Sequence, residues 1–448
     1  MRKIQKNMAL EFIRTLYQAH EQIKHMINHK KINYAMNLLE QCQQGAIQLG
    51  DLIEKTVEKK IITIDLLENY CETLYKIHKN IMTNEIENGN KVCKILRKQL
   101  LLVENSINND IKQTIEVVFL PYNASMWDSL ESVWRAADAD ENCDAYVIPI
   151  PYYDKNPDGS FKKEHWDVDK YPDYVSITRY NAYDFEKRRP DIIFIHNPYD
   201  ECNHVTSVHP FFYSENLRRF TEKLVYIPYF MLEEINFDNE VAVDHMKHFC
   251  TAPGILRADN VIVQSEDMRR IYINVLTENT GNTKKVKQYW EDRVLGLGSP
   301  KVDKVLNTRK EDLSIPDKWK KIVQKADGSR KKIILYNTSI GALLENDEQM
   351  LRKMKWVFTT FENNKDEVAL LWRPHPLLES TIFSIRPQLW KLYIDIRDNY
   401  INAGWGIYDD TVDIDRAVIM SDGYYGDYSS VMQLCIKVGI PIMIQNII

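Results

Sequence analysis

The sequence predicts an α/β protein, with two domains of the doubly wound, parallel-sheet kind preceded by an α-helical bundle. Three observations carry that prediction. All 16 prolines and all 9 tryptophans fall after residue 110. Apolar residues recur at helical spacing before that point, and short apolar runs alternate with helical stretches after it.

Within the first segment Leu10, Ile13, Leu16, Tyr17, Ile23, Met26 and Ile27 share one helical face. Leu38, Leu39, Cys42, Ala46, Leu49 and Ile53 define a second helix, and Leu66, Leu67, Tyr70, Leu74, Ile77 and Ile81 a third. With a fourth stretch from Val92 to Val103, residues 1–110 read as an antiparallel bundle of three or four helices. Such stripes are core or interface before they are a ligand box, and they leave self-association through these helices open.

From Ile115 the period changes. A strand over 115–120 is followed by a loop over 121–126, a helix over 127–139 and a strand over 145–150. Further strands are expected at 191–195, 223–227 and 260–264. The stretch 152–183, rich in Tyr, Pro, Asp and Lys, is a long excursion from this sheet and a candidate for function. A charged connector over 307–330 separates this first domain, 111–306, from a second over 331–448. Strands of the second are expected at 332–336, 368–372, 406–408, 417–420 and 440–444. Two facing Rossmann-like domains of this kind describe the glycosyltransferase B architecture. The sequence ends at Ile448 directly after the last expected strand, where this architecture commonly continues into a helix, so the second domain is read as shortened or truncated.

Hydrophobic residues at 44% and charged residues at 27% set disorder and collagen aside. The seven cysteines form no C-x-x-C pair, so neither a structural zinc site nor a redox motif is expected, and the thiols are expected to be reduced. No signal peptide is visible, nor any run of eighteen apolar residues. The net charge of -6 combines a mildly basic front with an acidic body. That excludes the concentrated basic face of a nucleic-acid binder and leaves a membrane-surface contact open. A cytoplasmic location is expected, with peripheral attachment to the inner face of the membrane open.

Ligands of open parallel sheets bind beyond the carboxyl ends of the strands, where helix N-termini favour anions. Two polar clusters sit at such places: Arg373-Pro374-His375-Pro376, and Gly426-Asp427-Tyr428-Ser429-Ser430 before a helical pattern. Ser429 and Ser430 either cap that helix or bind an anion. Asn337-Thr-Ser339-Ile-Gly341 offers hydroxyls at a helix entrance, as an ordinary turn or as part of an anion site, and it lacks the Lys-Ser/Thr of a P-loop. On the first domain Asn123 and Ser125 either cap a helix or line the acceptor side. His196, at a strand's carboxyl end, is a candidate base with Asp200 to orient it, or else a residue that only hydrogen-bonds locally. His245 and His248, even with Glu240 or Asp244, lack a third ligand at a metal-site spacing and read as a solvated helix face, and His204 and His209 likewise. Neither a metal nor a cofactor is expected.

Arg373-x-His375-Pro376 followed by Asp427-Tyr428-Ser429-Ser430 resembles the signature of the CDP-glycerol:poly(glycerophosphate) glycerophosphotransferase family, the teichoic-acid polymerases. Gly298-Ser-Pro-Lys301-Val-Asp303 resembles that family's interdomain segment. The resemblance covers roughly residues 115–448. It implies CDP-glycerol or a related CDP-alcohol as donor, a membrane-anchored polymer or lipid-linked hydroxyl as acceptor, release of CMP, and no catalytic metal. It also implies a donor site drawn from Arg373, His375, Asp427, Ser429 and Ser430, to which Asn337 and Ser339 are added as donor-binding candidates by their place at a helix entrance. His375 would either bind phosphate as an imidazolium or protonate the leaving oxygen. One departure stands out: five residues, 421–425, separate the expected strand 417–420 from the second motif, where the family has a compact turn. Two rivals remain, a nucleotide-sugar glycosyltransferase of the same fold and a non-catalytic family member acting as an assembly module.

Overall fold

The computed structural model describes residues 1–57, 61–83 and 88–447. Ile448, which closes the segment read as truncated, lies outside them. The chain divides into two compact units, residues 1–116 with 140–144, and residues 117–139 with 145–448.

The first unit holds four helices, Lys3–Asn28, Ile32–Thr56, Ile62–Met82 and Gly89–Asn109. Their apolar stripes make one core, in which Ile13, Ile23, Ile53, Tyr70, Leu96 and Leu100 are completely buried. Inside it the Tyr70 hydroxyl sits 2.6 Å from His20 Nε2, and burial pushes the His20 imidazole down to about 4.

The sheets are built from β1 (Ile115–Leu120), β2 (Cys143–Val147), β3 (Tyr152–Lys155), β4 (Phe161–His165), β5 (Ile192–Ile195), β6 (Thr206–Val208), β7 (Lys223–Tyr226), β8 (Asn260–Val263) and β9 (Val294–Gly296). β10 (Lys332–Thr338), β11 (Val368–Pro374), β12 (Ile407–Tyr408), β13 (Gly423–Gly426) and β14 (Ile442–Ile444) complete them. One sheet has the order β2-β1-β5-β7-β8-β9 and a second β12-β11-β10-β13-β14. β1, β5, β7, β8 and β9 pair in parallel, as do all five strands of the second sheet. These are two Rossmann-like halves in the glycosyltransferase B arrangement. The excursion after β2 supplies β3 and β4 of a small antiparallel sheet that β6 completes, in the order β4-β3-β6.

Two expectations shift. Residues 417–420 are not a strand: they close the buried helix Ile414–Met420, and the strand is β13. The Asp427–Ser430 motif therefore follows its strand directly, and the apparent insertion disappears. The helix expected over 127–139 is a 3-10 turn, Ala124–Ser129, followed by a helix over Glu131–Asp138.

The helix Pro300–Asn307 fastens the two halves of the second unit. Lys301 Nζ lies 2.6 Å from both carboxylate oxygens of Asp128, and Lys304 reaches Glu131 at 2.9 Å. Just past the helix, the Thr308 hydroxyl donates to Asp415 at 2.8 Å.

Candidate functional site

In the second sheet the chain runs outward from β10 to β11 and β12, then returns to β13 on the other side of β10. Such a reversal opens a crevice beyond the strand ends. Register aligns Asn337 of β10 with Arg373 of β11 on one side and with Gly426 of β13 on the other. Gly426 has φ +153°, and a Cβ there would lie 2.3 Å from the Asn337 carbonyl oxygen, so only glycine lets the two strand ends close up.

Both motifs meet in a small pocket at this edge. Arg373, His375, Ser429, Ser430 and Asn337 line it, together with Ser125 and Lys301. A larger cleft of about 470 Å³ adjoins it and shares Ser125, Arg373 and His375. Asn123 lines the larger cleft, as do Asp154 and His165 of the β3–β4 hairpin and Ser380 and Arg397 of the second half.

Each side chain is held by partners that limit what it can do. Arg373 is buried and directs its guanidinium at Asp409, 2.5 Å away, and at the Thr411 carbonyl, 2.8 Å away. Much of its fork is thus spent inside the protein. His375 Nδ1 accepts the Leu377 N–H at 3.1 Å, so in the neutral ring Nε2 carries the proton. Burial, reinforced by the nearby Lys301 ammonium, pushes this imidazole down to about 4. At neutral pH it is a hydrogen-bond donor and not a cation.

Ser429 Oγ accepts the Met432 N–H at 3.2 Å and is the cap of the helix Ser430–Lys437. Ser430 occupies the first helical position, where backbone N–H groups lack intrahelical partners. Asn337 donates its side-chain amide to the Arg373 carbonyl at 2.8 Å.

Asp427 and Ser339 stand behind the pocket and line neither space. Asp427 accepts the Ser339 N–H at 2.7 Å and the Gln445 amide, and burial raises its pKa. Ser339 Oγ caps the helix Ile340–Glu362 through the Ala342 N–H, 3.1 Å away.

On the first half, Asn123 Oδ1 accepts from both the backbone N–H and the hydroxyl of Ser125, and both residues face the larger cleft. His196 is fully buried and lines neither space. Its Nε2 accepts the Tyr122 N–H at 3.0 Å, and Nδ1 lies 2.9 Å from Ser129 Oγ, whose proton goes to the Met126 carbonyl. Both ring nitrogens are committed to bracing the loop after β1, which leaves none for a substrate. Asp200 does not orient it. That carboxylate accepts from the Ser214 N–H and pairs with Arg257 at 2.9 Å.

Three groups escaped the motif reading. Lys301 lies within the segment 298–303, whose resemblance marks an interdomain segment and no site residue. Asp409 follows β12 as Arg373 ends β11, and the strand-end rule applied to that shorter strand would have found it. His165 and Asp154 belong to the excursion, where composition marked the stretch but no residue. His245 and His248 lie on the helix Glu240–Cys250, and no group of three or more His, Cys, Asp or Glu able to hold a metal occurs among the described residues. No helix among them is long and apolar enough to cross a membrane.

The depressed imidazoles of His375 and His196 predict an acid limb in stability. Burial, with Lys301 adding, also pushes His196 down to about 3. In the unfolded chain these rings take up protons near pH 6.5, which the folded rings refuse until about 4 and about 3. Folding stability is therefore whole above pH 6.5 and falls as the pH drops through that window. Urea denaturation at a series of pH values checks this: His196→Gln is expected to flatten the slope, and a wild-type curve level from pH 7 to 4 defeats the account.

No family model matches the chain, and no curated protein matches it. Solved structures similar to it include S. aureus MnaA with UDP, at 12% identity over 74% of this chain and 80% of that one, TM-score 0.43. A UDP-GlcNAc 2-epimerase of Methanocaldococcus jannaschii with UDP-GlcNAc and UDP matches at 11% identity over 74% and 83%, TM-score 0.44. The wall teichoic acid polymerase TagF matches at 14% identity over 84% and 78%, TM-score 0.38. At such identities none of them assigns a residue or a reaction to this chain.

Proposed function

We propose that the protein transfers glycerol phosphate from CDP-glycerol to a hydroxyl of a teichoic-acid-like or other cell-surface polymer, releasing CMP. The observation that carries this reading is the convergence of the Arg373–Pro376 loop and the Ser429–Ser430 helix start on one pocket, in the order and at the strand ends that the family resemblance implies.

Phosphoryl transfer asks the protein chiefly for positioning and for donors toward the oxygens on which charge collects. His375 Nε2–H, the Ser430 hydroxyl and the open N–H groups of its helix are such donors. Lys301, although paired with Asp128, adds positive potential where the pyrophosphate would lie. Arg373 acts in this reading as a rigid wall, kept in place by Asp409, more than as a free fork. Asn337, Asp427 and Ser339 keep the two loops in register behind the phosphates, and Asn123 and Ser125 face the acceptor. A membrane-anchored acceptor would bring the protein to the inner face of the membrane.

The deciding experiment is calorimetric titration and turnover with a panel of CDP-alcohols and nucleotide sugars. CDP-glycerol or CDP-ribitol consumption with CMP release supports the reading. Preference for a nucleotide sugar replaces it with glycosyl transfer, and no turnover of any of them leaves an assembly module.

Joint replacement of Ser429 and Ser430 by alanine is expected to weaken CMP affinity by about 1 to 3 kcal/mol, the range for hydrogen bonds to a charged group. A pure capping role would instead lower the melting temperature and leave affinity unchanged. Titration and a thermal melt on one sample separate the two.

A further inference from the structure

The larger cleft contains a histidine–carboxylate pair that none of the motifs includes. His165 Nε2 lies 2.6 Å from Asp154 Oδ2, and the Ser380 hydroxyl donates to Asp154 Oδ1 at 2.8 Å. All three residues line the cleft that His375 also lines. The His165 ring stacks on Tyr152, with centroids 4.9 Å apart and planes 16° from parallel, which fixes its orientation.

The pair is tied mechanically to the His375 loop. Ser380 belongs to the helix Leu378–Ile385, which starts three residues past His375. The same helix receives the β3–β4 hairpin through two further contacts. Ser384 Oγ donates to the Lys155 carbonyl at 2.7 Å, and the Lys162 ammonium sits 3.0 Å from the centre of the Phe383 ring. A hairpin on surface duty alone would not need its carboxylate anchored to the opposite half.

Chemistry follows from the hydrogen bonds. An ionised Asp154 can only accept, so Nε2 of His165 carries the proton and Nδ1 bears the lone pair. A carboxylate behind an imidazole fixes the tautomer and stabilises the imidazolium that forms when the ring takes a proton. Partly exposed at the cleft, this imidazole meets the requirement that His196, with both nitrogens committed, does not.

We propose that His165, oriented by Asp154, is the general base of the transfer, a role that rests on the glycerophosphotransferase reading above. The acceptor oxygen forms a bond to the β-phosphorus of CDP-glycerol as its proton passes to His165 Nδ1. The bond from that phosphorus to the bridging oxygen breaks, and CMP leaves with the electron pair, met by the His375 Nε2–H. His165 then gives its proton to solvent.

The test measures CMP release from CDP-glycerol by the full chain, with octyl glycerol phosphate as the hydroxyl probe, alongside CMP affinity and the thermal melt. His165→Gln is expected to lower kcat on the order of 100-fold or more with CMP affinity unchanged, within the range for losing a general base. His165→Ala should regain activity when imidazole is added, which loss of a structural ring would not allow. Asp154→Asn should lower kcat while leaving CMP affinity in place. Normal release by His165→Gln, or a loss of rate matched by an equal loss of CMP affinity, overturns the assignment while the donor reading stands. Failure of the unaltered chain to bind CMP or consume CDP-glycerol overturns both.

Discussion

His375→Asn is expected to cut CMP release from CDP-glycerol on the order of 100-fold or more, the cost of losing one donor aimed at developing charge. The substitution is chosen for what it keeps. An asparagine oxygen can still accept the Leu377 N–H that His375 Nδ1 accepts now, so the loop retains its local bond. It gives up the Nε2–H of a ring that lines the pocket. His375→Ala should lose rate to the same degree and also a modest amount of stability, about 1 kcal/mol for the unmet N–H. In the proposed transfer the leaving CMP is a phosphate that would need hydrogen bonds more than a full proton, which suits an imidazole that is neutral at pH 7. Stopped-time assays of CMP, with circular dichroism to confirm folding, check the result. Wild-type-like turnover by a folded His375→Asn protein would remove His375 from the chemistry.

Why some of this was legible in the sequence, and some not, can be traced to particular residues. Runs such as Lys332–Thr338 and Val368–Pro374 are buried through most of their length, and continuous apolar runs between turn signals are what central parallel strands look like. The strand at Gly423–Gly426 is hidden because two glycines and two tyrosines lack the apolar run of a central strand. Gly426 is there because the Asn337 backbone comes too close for any Cβ, a demand that arises only from the neighbouring strand. Conversely, Ala417-Val-Ile-Met420 is apolar enough for a strand, and four residues are too few for periodicity to tell a strand from a buried helical turn.

The site divides in the same way. Residues at strand ends are placed by topology, so Arg373, His375, Ser429 and Ser430 come together at one pocket. What a side chain does at such a place depends on partners far away in sequence. His196 stands at the carboxyl end of β5, beside the reversal between β1 and β5, yet a backbone N–H and a serine occupy its ring. Nothing within Phe194-Ile-His196-Asn-Pro announces that. His165 is the opposite case: it ends a hairpin strand with no motif around it, and only the folded chain sets Asp154 and Ser380 beside it.

The ion pair between Lys301 and Asp128 bears on stability and chemistry together, and Lys301→Met separates the two. Both side chains are buried, Lys301 at 6% exposure and Asp128 at 3%. Burial raises the Asp128 pKa, while Lys301 and Arg373 pull it down. Methionine keeps the length of the side chain and removes the charge, which leaves a buried carboxylate without its main partner. Breaking a buried pair from one side typically costs about 3 to 5 kcal/mol, so a lower urea midpoint is expected. Asp128→Asn in the same chain should recover part of that loss, because the orphaned charge is then gone; replacing both partners is commonly much milder than replacing one. The chemical consequence has the opposite sign at His375. Removing a neighbouring positive charge lifts the depressed imidazole toward its ordinary value, so NMR titration of that ring should move up from about 4 in Lys301→Met. If Lys301 also supports the donor phosphates, CMP affinity should fall in Lys301→Met and stay low in the Lys301→Met, Asp128→Asn double variant, since the second change repairs the fold without restoring an ammonium to the pocket. Affinity that returns together with stability would show that Lys301 holds the halves in place and gives the nucleotide nothing directly.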